Sequence, residues 1–146
     1  LAPRLPGGFT LLELVAALAL LGLGVAELLP LARRQMDRMA VVAAREAVVG
    51  LFHRARMEAV ARGGATLLLY AEPPRAELRV GDEVLDAEDL EGEYRVSLRL
   101  SRDRASRSLT FDALGLGRVA SQSLAFRRGG EERRLLVSSY GRVRRE

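Results

Sequence analysis

Apolar residues run almost unbroken from Phe9 to Ala32, interrupted by Thr10, Glu13, Glu27 and Pro30. A bilayer needs roughly 20 apolar helical residues to be crossed, so the stretch is long enough to span one. Its uncharged core, Leu14 to Ala26, taken alone would equally suit a signal-peptide apolar region or a buried helix. The sequence beyond it does not read as a cleaved signal. Instead of a small-residue cleavage site and a polar start, residues 31–64 go on in helical period. Val41, Ala44, Val48, Leu51, Phe52, Ala55 and Ala59 recur at three- and four-residue steps, with Arg34, Arg38, Arg45 and Arg56 largely on the other side. Arg33 with Asp37, Arg54 with Glu58, and Glu58 with Arg62 are expected to pair along the exposed side. Gly63 and Gly64 supply a stop. At about 1.5 Å per residue, a helix from Phe9 to Arg62 is on the order of 80 Å long, so half of it is expected outside any small globule.

After Gly64 the period changes to two. ATLLLYA, then AELRV and EVL around Gly81-Asp82, then YRVSLRL, SLTFD, SLAFRR and RRLLVSS read as antiparallel strands. In YRVSLRL, Tyr94, Val96, Leu98 and Leu100 are expected on one face and Arg95, Ser97 and Arg99 on the other. Gly115 to Gly117 and Gly129-Gly130 mark turns. So small a β region has a thin core and gains most by laying its sheet on the apolar face of residues 41 to 59. The expected fold class is α+β, a long helix with an apolar first half packed on a small antiparallel β domain.

The chain has 146 residues, 49% hydrophobic and 29% charged, too apolar to be a disordered tail. It has no Cys and a single histidine, His53. Disulfides, cysteine-ligated metals, thiol catalysis and His-rich metal sites are thereby excluded. Lys, Ile and Asn are also absent, so all 23 basic residues are Arg, a bias of GC-rich coding rather than of function. The net charge of +4 is uneven: 8 Arg and 5 acids over residues 1–64, 4 and 9 over 65–100, 11 and 5 over 101–146, or +3, −5 and +6.

Gly8-Phe9-Thr10-Leu11-Leu12-Glu13 opens the apolar run. It resembles, at every position, the type III signal of type IV pilins and pseudopilins. The resemblance implies cleavage by a prepilin peptidase after Gly8, methylation of the new Phe9 amine, and retention of the apolar helix. A carboxylate one turn inside a membrane segment is costly and is a functional hypothesis by default. The partner expected for Glu13 is the Phe9 amine of a neighbouring subunit. Pro30 falls where such helices commonly carry a proline kink. Glu27, about 21 Å from Glu13 along the helix, is expected near the outer interface. Leader residues 1–8 hold one Arg against Arg33, Arg34 and Arg38 beyond the span, the reverse of the positive-inside bias, and Leu1 points to an alternative start codon or to further leader residues.

FHRARMEAVARGG at the helix-to-strand junction, LTFDALGLGR, and RRGGEERRLLVSSYGRVRRE are similar to the GspH/FimT type of minor pilin, whose members carry ARxEAxxRG, FDxLG and GRxR-like segments. Leu116-Gly117 lengthens the second motif. The organisation implied is a cleaved leader over 1–8, a transmembrane and spine helix over 9–62, and a β domain over 63–146. The implied function is that of a minor pilin acting by assembly, without chemistry or cofactors of its own: it primes a type IV pilus or captures DNA. A minor pseudopilin of type II secretion is the alternative. Implied partners are other pilin subunits, the prepilin peptidase, the inner-membrane assembly platform and, before assembly, the lipid bilayer.

The basic C-terminus is a candidate DNA contact, because planar guanidinium groups suit phosphate. The resemblance implies that Gly141-Arg142-Val143-Arg144 holds DNA, so Arg142, Arg144 and Arg145 are the candidate residues, expected on a tail beyond the last apolar strand positions, Leu135 to Val137. A generic basic tail is the plain alternative. Other patterns read as structure. GLGRVA at 115–120 matches a dinucleotide fingerprint, yet strand-like sequence follows where a helix must begin. Asp86, Glu88, Asp89, Glu91 and Glu93 lack calcium-loop spacing and read as a solvated acidic loop. His53 reads as surface or packing, and Ser138 and Ser139 as strand ends.

Overall fold

The computed structural model describes residues 10–118 and 121–146. Helix α1, Leu11–Arg62, passes through Pro30 as a single helix. Two compact units divide it, Leu1–Gln35 and Met36–Glu146. In the first, every described side chain is exposed, and an 18-residue window reaches a mean hydropathy of 2.2 with none of it buried. That is the composition of a membrane span.

Among the described residues of the second unit nine strands follow: β1 Gly64–Ala71, β2 Pro74–Val80, β3 Glu83–Asp89, β4 Ser97–Leu100, β5 Ser106–Asp112, β6 Gly117–Arg118, β7 Gln122–Arg128, β8 Glu131–Val137 and β9 Val143–Arg145. Helix α2, Leu90–Tyr94, and a 3-10 turn at Ser101–Asp103 flank β4. One sheet has the order β3-β2-β1-β5-β6, the other β4-β7-β8-β9, and their paired strands run antiparallel. Register follows from the alternation. Leu67 faces Leu78 and Leu109, Ala65 faces Phe111, and Leu124 faces both Leu100 and Leu135. These residues are buried in one core with Val41, Ala44, Val48, Leu51, Phe52, Ala55 and Ala59 of α1. Phe52 and Phe111 meet edge to face, ring centroids 6.4 Å apart and planes at 84°, a favoured aromatic geometry. The α+β fold is therefore the one the periodicities predict.

Several local expectations give way. Tyr94 lies in α2, not in a strand: Asp89 caps that turn, its Oδ1 accepting from Gly92 N–H at 2.9 Å, and Arg95 ends it at φ 54°. The acidic segment is strand β3 plus α2 rather than a loop, because β2 offers a full edge for residues 83–89 to pair with. Asp37 pairs with Arg128 at 2.8 Å and Arg54 with Asp86 at 2.6 Å, since the sheets bring their own charges to the helix. Only Glu58–Arg62, at 3.0 Å, keeps the helical spacing among the three expected pairs. Val49, outside the expected apolar stripe, is also buried. It sits one turn beyond Arg45 and Glu46, on the flank that Arg145 reaches.

Truncating Phe52 to Ala should lower the stability of the folded unit by about 3–5 kcal/mol, whereas Met57→Ala, on a side chain 65% exposed, should stay within about 0.5 kcal/mol. Urea unfolding of the detergent-solubilised full chain, followed by circular dichroism, would show the difference; equal midpoints for the two variants would contradict the packing described.

Candidate functional site

At the start of α1 the Thr10 hydroxyl oxygen accepts the Glu13 N–H at 3.2 Å, and the Thr10 carbonyl accepts that of Leu14 at 3.1 Å. Thr10 is thus the helix cap, and Thr10-Leu11-Leu12-Glu13 has the [ST]xxE spacing of a capping box. That role escaped the sequence reading although its signal was present. An acid in the first turn also suits the positive end of the helix dipole. Gly8 and Phe9, the expected cleavage and methylation positions, lie outside the described residues, as do Val119 and Ala120 of the rejected fingerprint.

The motifs of the second unit each hold a junction. In ARxEAxxRG, Ala55 and Ala59 are fully buried and Arg56 donates to the Gly141 carbonyl at 3.2 Å. Arg62 pairs with Glu58 and, at 3.4 Å, with Glu83, and Gly63 turns the chain into β1 at φ 85°. In FDxLG, Phe111 fills the core while Asp112 Oδ1 accepts the N–H groups of both Leu114 and Leu116 at 3.0 Å. Gly115, at φ 70°, closes the turn where a Cβ would come 2.8 Å from Arg56 Cγ. In the fingerprint-like segment Gly115 and Leu116 therefore belong to a turn and Gly117–Arg118 to β6, and the next described element is strand β7 rather than a helix.

The C-terminus is not a free tail. Strand β9 pairs with β8, setting Arg145 opposite Leu135 and Arg144 opposite Leu136. Alternation then sends the two arginines to opposite faces. Arg145 shares the core-side face and grips Glu46 of α1, Nε at 2.9 and 3.1 Å and Nη2 at 2.8 Å from the carboxylate oxygens. Arg45 adds a contact to Glu46 at 3.0 Å and donates to the Glu146 carbonyl at 3.3 Å. The hydrogen bond from Arg145 is the main reason the Glu46 carboxyl is held below its ordinary range, against some desolvation. So the expectation of a tail beyond the last strand gives way: all three arginines are exposed, but Arg144 and Arg145 lie in β9 and Arg145 is engaged by Glu46. Arg142 and Arg144 border a groove of about 610 Å³ with Ser121, Ser123 and Ser138. Ser138 braces the turn, its hydroxyl accepting the Arg142 N–H at 3.1 Å.

The remaining candidates are structural. His53 is exposed. Burial, then Glu93 and Asp86, push the Glu88 carboxyl up, and Tyr94 beside it is pushed up by burial and by Glu88. Among the described residues no cluster of three or more acidic or histidine side chains could hold a metal.

Against known proteins, residues 4–26 match the family model described as the prokaryotic N-terminal methylation motif. The chain thus carries that motif where its apolar helix begins. No curated protein sequence matches it. Among solved structures, the type IV minor pilin FimU of Pseudomonas aeruginosa is 21% identical, with a TM-score of 0.59 over 75% of this chain and 90% of FimU. A second crystal form of FimU gives 20%, 0.56, 71% and 90%. The minor pseudopilin EpsH of the Vibrio cholerae type 2 secretion system is 14% identical, with a TM-score of 0.53 over 75% of this chain and 97% of EpsH. The pilin-like fold is shared with all three.

Linkage gives the Glu46 contact a pH signature. Its folded-state pKa is depressed, so its contribution is fully present above the unfolded value of about 4.3 and is lost as pH falls through the lower folded value. Arg145→Gln should therefore reduce stability at neutral pH and flatten the acid limb of the stability curve. Thermal unfolding of the pilin-like chain from pH 7 down to pH 3 reads this directly, and an unchanged acid limb would show the pair to be inert.

Proposed function

We propose that this protein is a minor pilin that is processed at its N-terminus, held in the inner membrane by the first half of α1, and assembled into a type IV pilus, where it helps to prime the filament. The observation that carries the proposal is the methylation motif placed directly on a membrane-length helix that continues into a pilin-like β domain. In this reading the prepilin peptidase cuts between Gly8 and Phe9, and the Glu13 carboxylate receives the Phe9 amine of an adjacent pilin subunit. The inner-membrane platform then lifts the subunit out of the bilayer, and Pro30, which cannot donate to the helix ladder, relaxes α1 at a kink. The work is done by assembly, without catalysis or cofactor. The likeness to EpsH supports a second reading, a minor pseudopilin of type II secretion; the greater structural similarity to FimU favours the first.

Mass spectrometry of the membrane-extracted protein should show a methylated Phe9 terminus; an uncut leader would remove the proposal. Glu13→Val, which makes the span more apolar, should still be cut and inserted but should enter filaments poorly. Normal incorporation would leave the carboxylate without an assembly role.

DNA capture rests on one observation, the exposure of Arg142 and Arg144 beside a groove that Ser121, Ser123 and Ser138 share with Leu136 and Val137. Each phosphate neutralised adds about 0.9 to the slope of log affinity against log salt. Replacing both arginines with Gln in the full chain should thus lower the slope for duplex DNA by about 2. Binding unaffected by that change, or absent at low salt in the unaltered protein, would leave assembly as the whole function.

A further inference from the structure

A recess of about 300 Å³ is formed by Leu114, Gly115, Leu116 and Tyr140 with Arg56 and Arg142. Leu114 is 77% exposed, Tyr140 73% and Leu116 48%, and Val60, 58% exposed, adjoins Gly115. A lone exposed leucine means little, but large apolar side chains grouped with an aromatic residue and arginine have the composition of a protein-binding centre. The loops presenting them are fixed. Asp112 ties down Leu114 and Leu116, and a Cβ at Gly141 would come 2.9 Å from the Phe111 ring. Little ordering cost would then be left for binding. Asp112, two residues from Leu114, turns its Oδ1 to the loop's own N–H groups, and Glu58, two residues from Arg56, pairs with Arg62; the charged residues lining the recess itself are Arg142 and Arg56.

The complementary surface is on the same chain. Between Val80 and Tyr94 there are seven acids and no base; Asp86 and Glu83 already pair with Arg54 and Arg62 of α1, which leaves the other five to carry the charge of this edge. Asp82, Glu91 and Glu93 are exposed, and Val84, 46% exposed, stands among them on β3. β3 is one edge of the five-stranded sheet, and β6, which directly follows the Leu116 turn, is the other. With three strands between them, the two surfaces cannot meet within one molecule. We infer that the Leu114–Leu116–Tyr140 recess docks the acidic β3–α2 edge of a second copy of this chain. Because the contact joins unlike surfaces, it leaves a free recess and a free edge at its two ends and propagates openly. It rests on the pilin reading only in that filament growth uses such open contacts. Membrane anchoring raises the effective concentration at which so small and salt-screened a contact operates.

The absence of cysteine makes a clean test. Full-length Leu114→Cys and Val84→Cys chains carrying different tags are co-expressed, and isolated membranes are mildly oxidised. A disulfide between the two tags is expected. Arg142→Glu on the Leu114→Cys chain should cut its yield several-fold, and Glu91→Arg on the Val84→Cys chain should restore it. No heterodimer from inserted, protease-resistant chains would overturn the contact, as would a yield insensitive to the charge reversal. If Phe9 is exposed normally in those membranes, such a failure leaves the pilin reading intact.

Discussion

The burial of one helical face, Val41 to Ala59, organises everything else in the folded unit. Neither sheet could enclose a core alone: each offers an alternating row of leucine, valine and phenylalanine with nothing of its own to cover it. Helix α1 supplies the shared surface, and Phe52 against Phe111 sits where helix and sheet meet. Ala44, Ala55 and Ala59, all fully buried, keep that face low, so that backbone and sheet can approach. Each leucine or valine buried there contributes about 1.5–3 kcal/mol, far more than any surface pair, which is why the helix cannot be removed from the β domain's account.

Charged contacts along the flanks of that face set alignment rather than bulk stability. Arg54 and Arg62 reach the β3 edge, while Asp37 and Glu46 reach β7 and β9. Exposed pairs of this kind are individually worth little. Placed on both flanks, they resist a one-turn slip of the helix past the sheets, because a slip would separate all of them at once. Gly129 fits the same scheme: at φ 56° it closes the β7–β8 turn, and a Cβ there would come 2.5 Å from the Asp37 carboxylate.

The same economy runs through the motifs. Thr10 caps the helix that the methylation motif begins, and Arg56 steadies the Gly141 turn from inside the junction motif. The C-terminal segment is divided: Arg145 holds the strand to the helix, and Arg142 and Arg144 face outward. Among the described residues β9 pairs with β8 alone, and the Arg145–Glu46 contact ties it to the helix as well.

The amphipathic period of residues 41–59, the membrane-length apolar run before it and the alternation after Gly64 were all legible from residue order, because each reflects a local geometry, 3.6 or 2 residues per repeat, that needs no distant partner. The glycine turns at 63, 81, 115 and 129 were legible for the same reason. What residue order could not decide was which charges meet. Arg54 had Glu58 one turn away and took Asp86 instead; Asp37 had Arg33 and took Arg128. Tyr94 fitted an alternating strand until the Asp89 cap drew it into a helix. Arg145 belonged to a basic tail until pairing with β8 turned it toward Glu46. In each case local options differ by a few tenths of a kcal/mol, and the packing of sheets on helix, larger by an order of magnitude, makes the choice.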